Sequence, residues 1–217
     1  RSLRNLQTDY VDLYQIHWPS RTVPLDETIE ALERLREQGK VRALGVSNFG
    51  ARDLSDLLEL GWFESNQLPY SLLWRAIEYE IQQTCVDEGM GILCYSSLAQ
   101  GLLTGKFTSP DEVPEGRART RFFSKDRPQV LHGEAGCEAE AFAAIERIRH
   151  IGEEIGQPMA KLAIAWLLHQ PGVTSVITGA RNPDQIQQTS QAVDLELSAE
   201  TIAALTKGTE EVKRVIG

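Results

Sequence analysis

Five short groups of residues in this chain are suited to chemistry: His17-Trp18-Pro19, Ser47-Asn48, Asn66-Gln67, Tyr95-Ser96 and Gly179-Ala180-Arg181. An imidazole, hydroxyls, side-chain amides, a phenol and a guanidinium offer hydrogen-bond donors and acceptors for a polar substrate and a fixed charge for an anion. Each group stands where a short strand-like run ends. That is the pattern of a (β/α) barrel, in which loops leaving the carboxyl-terminal ends of the strands build one active site on one face. The turn Ser96-Ser97-Leu98-Ala99-Gln100-Gly101 is short and made mostly of small residues, so its N–H groups can approach a pyrophosphate closely; by composition alone it also reads as an ordinary turn. Gly179-Ala180-Arg181 lies between the last strand-like run and a helix beginning at Pro183, so a helix N-terminus suited to an anion faces whatever binds there.

The elements that position these groups follow from periodicity. Tyr10–Ile16 is rich in aromatic and β-branched residues and stops before Trp18-Pro19, where Pro disfavours helix. Leu25, Ile29, Leu32 and Leu35 mark the apolar face of a helix with acidic residues in its first turn and Gly39 as its stop. The pattern then repeats: strand 41–46, helix 51–60 closed by Gly61, strand 63–67, helix 76–88 closed by Gly89, strand 90–95. Helices are predicted at 137–155 and 158–169, a strand at 173–178, a helix from Pro183 and a terminal helix capped by Ser198. Strands separated by single helices run parallel, which restricts the fold to a doubly wound sheet or a barrel, and the even spacing favours the barrel. Between Thr104 and about Gly136 the period disappears into a Pro/Gly/Arg-rich stretch, either a disordered insert or a functional loop.

At 217 residues the chain holds one large domain, short of the roughly 250 residues of a complete eight-fold barrel. It opens at Arg1 without an initiator Met, and a missing upstream segment is expected. A net charge of −9 argues against nucleic-acid or anionic-membrane partners by bulk attraction, while allowing local basic sites for a phosphate-bearing ligand. No apolar run approaches the ~18 residues of a membrane span. Cys85, Cys94 and Cys137 read as buried reduced thiols of a cytosolic protein, and no metal spacing opposes this. His132, His150 and His169 show no ligand spacing and read as surface or helix-packing residues.

The words Leu13–Pro19, Gly39–Phe49, Tyr95–Lys106 and Gly179–Gln185, in this order and spacing, closely resemble the aldo-keto reductases, and the resemblance covers essentially the whole chain. The Gln100–Lys106 segment and the Gly-Ala-Arg ending look most like the bacterial branch and its relatives, the β-subunits of voltage-gated potassium channels. The resemblance implies an α/β fold, the eight-stranded TIM (β/α)8 barrel of the aldo-keto reductase type, here represented by its last five strands with the N-terminal three βα units missing. Residues 1–217 then form a partial NADP-dependent oxidoreductase domain with a variable loop at 105–136. The implied function is NADP(H)-dependent reduction of aldehydes or ketones by direct hydride transfer, in a cytoplasmic protein whose partner is a small carbonyl substrate. The family's catalytic Tyr, Lys and Asp would lie upstream, so the chain alone is expected to be inactive. A nucleotide-sensing regulatory subunit on the same fold, or a non-functional truncated product, are the alternatives.

Residue by residue, His17 would orient the substrate carbonyl, where the channel-associated relatives carry Asn, and Trp18 would line the substrate pocket. Ser47, Asn48 and Gln67 would pair with the nicotinamide carboxamide, or else satisfy loop backbone groups as short polar residues commonly do. Tyr95 would stack on the nicotinamide ring. The turn containing Ser96, Leu98 and Gln100 would cradle the pyrophosphate, with Lys106 and Arg117 supplying charge, although Arg119 and Arg121 are equally basic neighbours. Gly179 and Arg181 would grip the adenosine half, Arg181 reaching the 2′-phosphate, and Gln185 and Gln188 would approach the adenine or ribose. Many relatives have Glu-Asn where this chain has Gln188-Thr189.

Overall fold

Four runs rich in β-branched and other apolar residues and one more polar run, Ser65–Pro69, pair in the computed structural model, which describes residues 1–216. They are β1 (Val11–Ile16), β2 (Val41–Ser47), β3 (Ser65–Pro69), β4 (Gly91–Tyr95) and β5 (Val173–Val176), all parallel and in the spatial order of the sequence. A doubly wound sheet reverses its order at a switch point; this sheet does not, and its sequential growth is that of a barrel wall. Burial divides the sheet. Leu44, Val46, Leu68, Ile92 and Cys94 of the inner strands are buried, whereas Leu13 and Tyr14 of β1 are exposed.

The helices are α1 (Ser2–Leu6), α2 (Leu25–Glu37), α3 (Ala51–Leu60), α4 (Ile81–Asp87), α5 (Glu138–Glu154), α6 (Met159–Leu168), α7 (Pro183–Ser190), α8 (Ala199–Gly208) and α9 (Glu210–Ile216). Helix α2 buries Ile29 and Leu32 as its apolar stripe requires, and Gly39 follows it at φ 68°, where a side chain would be strained. Helix α5 approaches its neighbours on a stripe of Ala141, Ala144, Ile145, Ile148 and Gly152. A Cβ at Gly152 would lie 2.8 Å from the Gln157 carbonyl oxygen, so that packing needs glycine. Helix α6 is buried on nearly every side.

Four expectations are corrected. The third strand is Ser65–Pro69, shifted from 63–67: Phe63 is wholly buried, Glu64 bonds the Leu44 backbone, and the ladder with β2 begins at Ser65. The helix expected over 76–88 is a single 3-10 turn at Ala76–Glu78 followed by α4, because Glu78 is drawn inward by a buried arginine described below. The terminal helix does start at a Ser198 cap, but it breaks at buried Thr209, whose hydroxyl donates to the Leu205 carbonyl, and restarts as α9. Finally, of the two alternatives for the stretch after Thr104 the disordered insert is the one corrected: Phe107, Val113, Ala118, Phe122 and Phe123 are buried in the common core, with Phe122 edge-on to Trp74.

A polar network joins the 70–78 segment to the C-terminal helices. The Arg75 guanidinium, 3% exposed, donates twice to the Glu78 carboxylate at 2.7 Å, once to the Thr206 carbonyl and once to the Thr209 hydroxyl. Glu78 also accepts from the Tyr70 hydroxyl at 2.8 Å and from Lys213 at 3.0 Å. Burial alone would raise the Glu78 carboxyl, but Arg75, Lys213 and Tyr70 hold it below its ordinary value. Burial and the same carboxylate push the Tyr70 phenol far up.

The three cysteines are free and buried, and desolvation raises Cys85 to about 11, Cys94 to about 12 and Cys137 to about 11. Such thiols are protonated and inert at neutral pH. His169 and His132 bond backbone carbonyls, and exposed His150 faces Glu154 at 3.2 Å. Among the described residues no helix is long and apolar enough to cross a membrane.

Candidate functional site

The strand ends converge as their parallel arrangement dictates. Asn48, just after β2, is the node. Its backbone takes the left-handed conformation at φ 63°, which Asn tolerates better than most residues, and its N–H donates to the Gln67 carbonyl. Its side-chain amide donates to the His17 carbonyl at 2.9 Å and to the Ser47 hydroxyl oxygen at 3.0 Å, while its oxygen accepts from the Tyr95 hydroxyl at 2.8 Å. The Ser47 hydroxyl donates in turn to the Gln67 carbonyl. Gln67 lies inside β3, not at its end, and its side-chain oxygen accepts from Gln15. Four strands are thereby tied together at one end of the sheet.

These bonds give Ser47 and Asn48 a structural occupation that includes loop backbone. Above them, His17 and Trp18 are exposed, their rings 6.1 Å apart, and open to a ligand. Tyr95 is half-buried, and desolvation raises its phenol. Asn66, singled out with Gln67, is fully buried; its amide donates to the Phe49 carbonyl and its oxygen has no partner among the described residues.

A cleft of about 750 Å³ lies beside this cluster, between the exits of β4 and β5. One wall is the turn after β4. Ser96, Ala99 and Gln100 are left-handed there, at φ 53°, 47° and 54°, and the Ser97 hydroxyl ties the turn to the Ile177 carbonyl beyond β5. Left-handed non-glycine residues in series are costly and turn successive peptide groups toward a concavity suited to an anion. The opposite wall is the start of α7, where Asn182 caps the Gln185 N–H and the Gln185 side chain accepts from the Arg181 N–H. The side-chain oxygen of Gln185 therefore shapes its own loop.

Of the expected contact residues, Ser96, Leu98, Gln100, Lys106, Arg117, Gly179, Arg181, Gln185 and Gln188 all line this cleft, while His17, Trp18, Ser47, Asn48, Gln67 and Tyr95 lie outside it. Arg117 approaches closely: a Cβ placed on Gly101 would meet its guanidinium at 3.4 Å. Arg119 and Arg121 do not line the cleft, and Arg121 pairs with Glu134.

Sequence reasoning missed the floor. Pro158, Ala160 and Lys161, from the start of α6, also line the cleft. The first-turn N–H groups of a helix lack intrahelical partners, and Pro158 provides no side-chain cap for those of α6. The missed signal was Lys161 itself, a charge at the polar edge of an otherwise apolar helix.

Electrostatically the cleft is one-sided. Lys106, Arg117, Lys161 and Arg181 line it, no Asp or Glu does, and none of the four forms an ion pair among the described residues. In a chain of net charge −9 this concentration of unpaired positive charge is a specific feature.

Residues 1–210 match the model of the aldo/keto reductase family. The chain is 34% identical over 200 residues to aldo-keto reductase YhdN of Bacillus subtilis (strain 168), covering 92% of this chain and 58% of that protein. It is 32% identical over 217 residues to the NADH-specific methylglyoxal reductase of Escherichia coli (strain K12), covering 98% and 63%. A crystal structure of an aldo/keto reductase from Klebsiella pneumoniae in complex with NADP and acetate superposes with a TM-score of 0.71 at 31% identity, over 95% of this chain and 61% of that one. The chain thus spans about three-fifths of the length of these relatives. A parallel sheet in barrel order, a cationic cleft at its loops and the family match agree: this chain belongs to the aldo/keto reductase family.

Proposed function

We propose that the chain carries the NADP(H)-binding and carbonyl-orienting part of an oxidoreductase acting on aldehydes or ketones. The five strands are, in this reading, consecutive strands of a (β/α)8 barrel with the site at their carboxyl-terminal face. The observation that carries the proposal is the cleft with four unpaired cations and no carboxylate, opening beside the strand ends that present His17. NADP(H) carries about −4 and NAD(H) about −2, the difference being the 2′-phosphate. Four cations match the first better than the second.

The nicotinamide cofactor supplies the hydride when bound. The turn at Ser96, Leu98 and Gln100 with Lys106 and Arg117 would hold the pyrophosphate, and Gly179, Arg181, Gln185 and Gln188 the adenosine half, with Arg181 at the 2′-phosphate. Lys161 adds a cation to the floor between them. Tyr95 would support the nicotinamide ring, and Gln67, Ser47 and Asn48 would receive its carboxamide by exchanging partners within their network. His17 would donate a hydrogen bond to the carbonyl oxygen and orient it, with Trp18 flanking the substrate.

Titration of the chain with NADPH and with NADH, followed by nicotinamide fluorescence, tests this. Saturable NADPH binding, weakened by salt and tighter than NADH binding, is expected. Equal affinity for the two would remove the NADP(H) assignment and leave the resemblance to the NADH-specific relative as the better guide.

A further inference from the structure

Lys106 stands on a short irregular segment, yet the peptide carbonyls on both sides of it are held by one side chain. Arg149, projecting from α5, donates from one terminal nitrogen to the Gly105 carbonyl and from the other to the Phe107 carbonyl, each at 3.1 Å. The guanidinium is largely buried, and its Nε–H donates to exposed Glu146 at 3.2 Å. Gly105 is left-handed at φ 76°, and Phe107 is buried in the core. The fork therefore spans the residue whose ammonium lines the cleft.

We propose that Arg149 is a positioning residue that holds Lys106 against the anion-binding cleft, and with it sets the affinity for cofactor phosphate. This rests on the reading of that cleft as a dinucleotide site. The physics is specific to arginine. Two N–H groups in a rigid planar fork fix two carbonyls at once, which an ammonium, a point donor on a flexible stem, does not. With the carbonyls of both neighbouring residues held, the backbone of Lys106 is restrained from either side, and less entropy is lost when its side chain meets a phosphate. The fork also lies outside the cleft: Arg149 lines the smaller recess behind the segment and does not line the cleft itself. Its effect on a ligand must pass through the segment it holds.

The test combines a ligand-free readout with a mutant cycle. In the cofactor-free chain, a Lys-specific protease should cut after Lys106 faster in Arg149→Gln than in the wild type, with cleavage at other lysines unchanged and the far-ultraviolet dichroism intact. For binding, Arg149→Gln should weaken NADPH roughly tenfold. Lys106→Met should do the same, and the double variant should be no weaker than Lys106→Met alone, since positioning is lost with the residue positioned. Arg149→Lys should recover little. Additive losses, or unchanged cleavage at Lys106, would overturn the proposal. Accelerated cleavage in a chain that binds neither NADPH nor inorganic pyrophosphate would sustain the clamp and reject the dinucleotide reading.

Discussion

Two groups of cations in this molecule are used in opposite ways. Arg75 lies in the core with each side-chain nitrogen engaged, by Glu78, Thr206 and Thr209, and with Glu210 at 3.3 Å. Lys106, Arg117, Lys161 and Arg181 line a cleft with no acid among its lining residues. The first group has its electrostatic energy satisfied within the fold and holds segments distant in sequence together. The second has it unsatisfied and available to a ligand. Their difference predicts a separation of effects: changes at the network should cost stability, and changes at the cleft should cost binding.

The largest effect is expected at the network. Glu78→Gln removes the carboxylate that takes two of the three nitrogens of buried Arg75 and leaves the more exposed Glu210 as its counter-charge, which should destabilise the chain by about 3 kcal/mol, read as a shift in the urea midpoint. The same pair sets an acid limb. Because the folded-state pKa of Glu78 is depressed, its stabilisation is fully present above the ordinary carboxylate value and is lost as pH falls through the lower folded value. Stability measured between neutral pH and pH 3 should therefore fall more steeply in the wild type than in Glu78→Gln. Parallel curves would mean that Glu78 titrates as an ordinary surface carboxylate.

Next comes Arg181→Ala. It should weaken NADPH by roughly 10- to 100-fold and NADH little, as expected for loss of a charge-assisted contact to the 2′-phosphate. The unfolding midpoint should stay within about 0.5 kcal/mol of the wild type, because the side chain is exposed and forms no ion pair. Similar losses for both cofactors would place Arg181 elsewhere on the ligand.

Asn48 lies between the two extremes. Asn48→Ala removes the bonds to His17, Ser47 and Tyr95 and puts Ala at φ 63°, at an expected cost of about 1–3 kcal/mol. Asn48→Gly relieves the backbone and should recover part of that loss. If the two variants are equally destabilised, the side-chain bonds matter and the conformation does not.

The smallest effect is expected for Lys161→Ala, a several-fold weakening of NADPH that shrinks at high salt, with no loss of stability. An unchanged affinity would confine the working charge of the cleft to Lys106, Arg117 and Arg181.

The alternation of strand and helix was legible in the sequence because each element carries its own period, and helices α2 and α3 and strands β1, β2 and β4 fall where hydrophobic spacing put them, to within a residue or two. Nine of the residues assigned to cofactor contact line one cleft, because parallel strands of a barrel deliver their carboxyl ends to one face regardless of the intervening sequence. What the periodicity could not express was any arrangement made between distant segments. Arg75 reads locally as one charge just ahead of a helix-like run; its bonds to the Thr206 carbonyl and the Thr209 hydroxyl, more than a hundred residues away in the chain, are not written in that run. The stretch after Thr104 has no period, yet Phe107, Phe122 and Phe123 fasten it to the core. Lys161 and Arg149 look like solvated charges on their own helices. Packing brings one to the floor of the cleft and the other to the carbonyls flanking Lys106, since a side chain's electrostatic partner is set by tertiary distance and not by its neighbours in the chain.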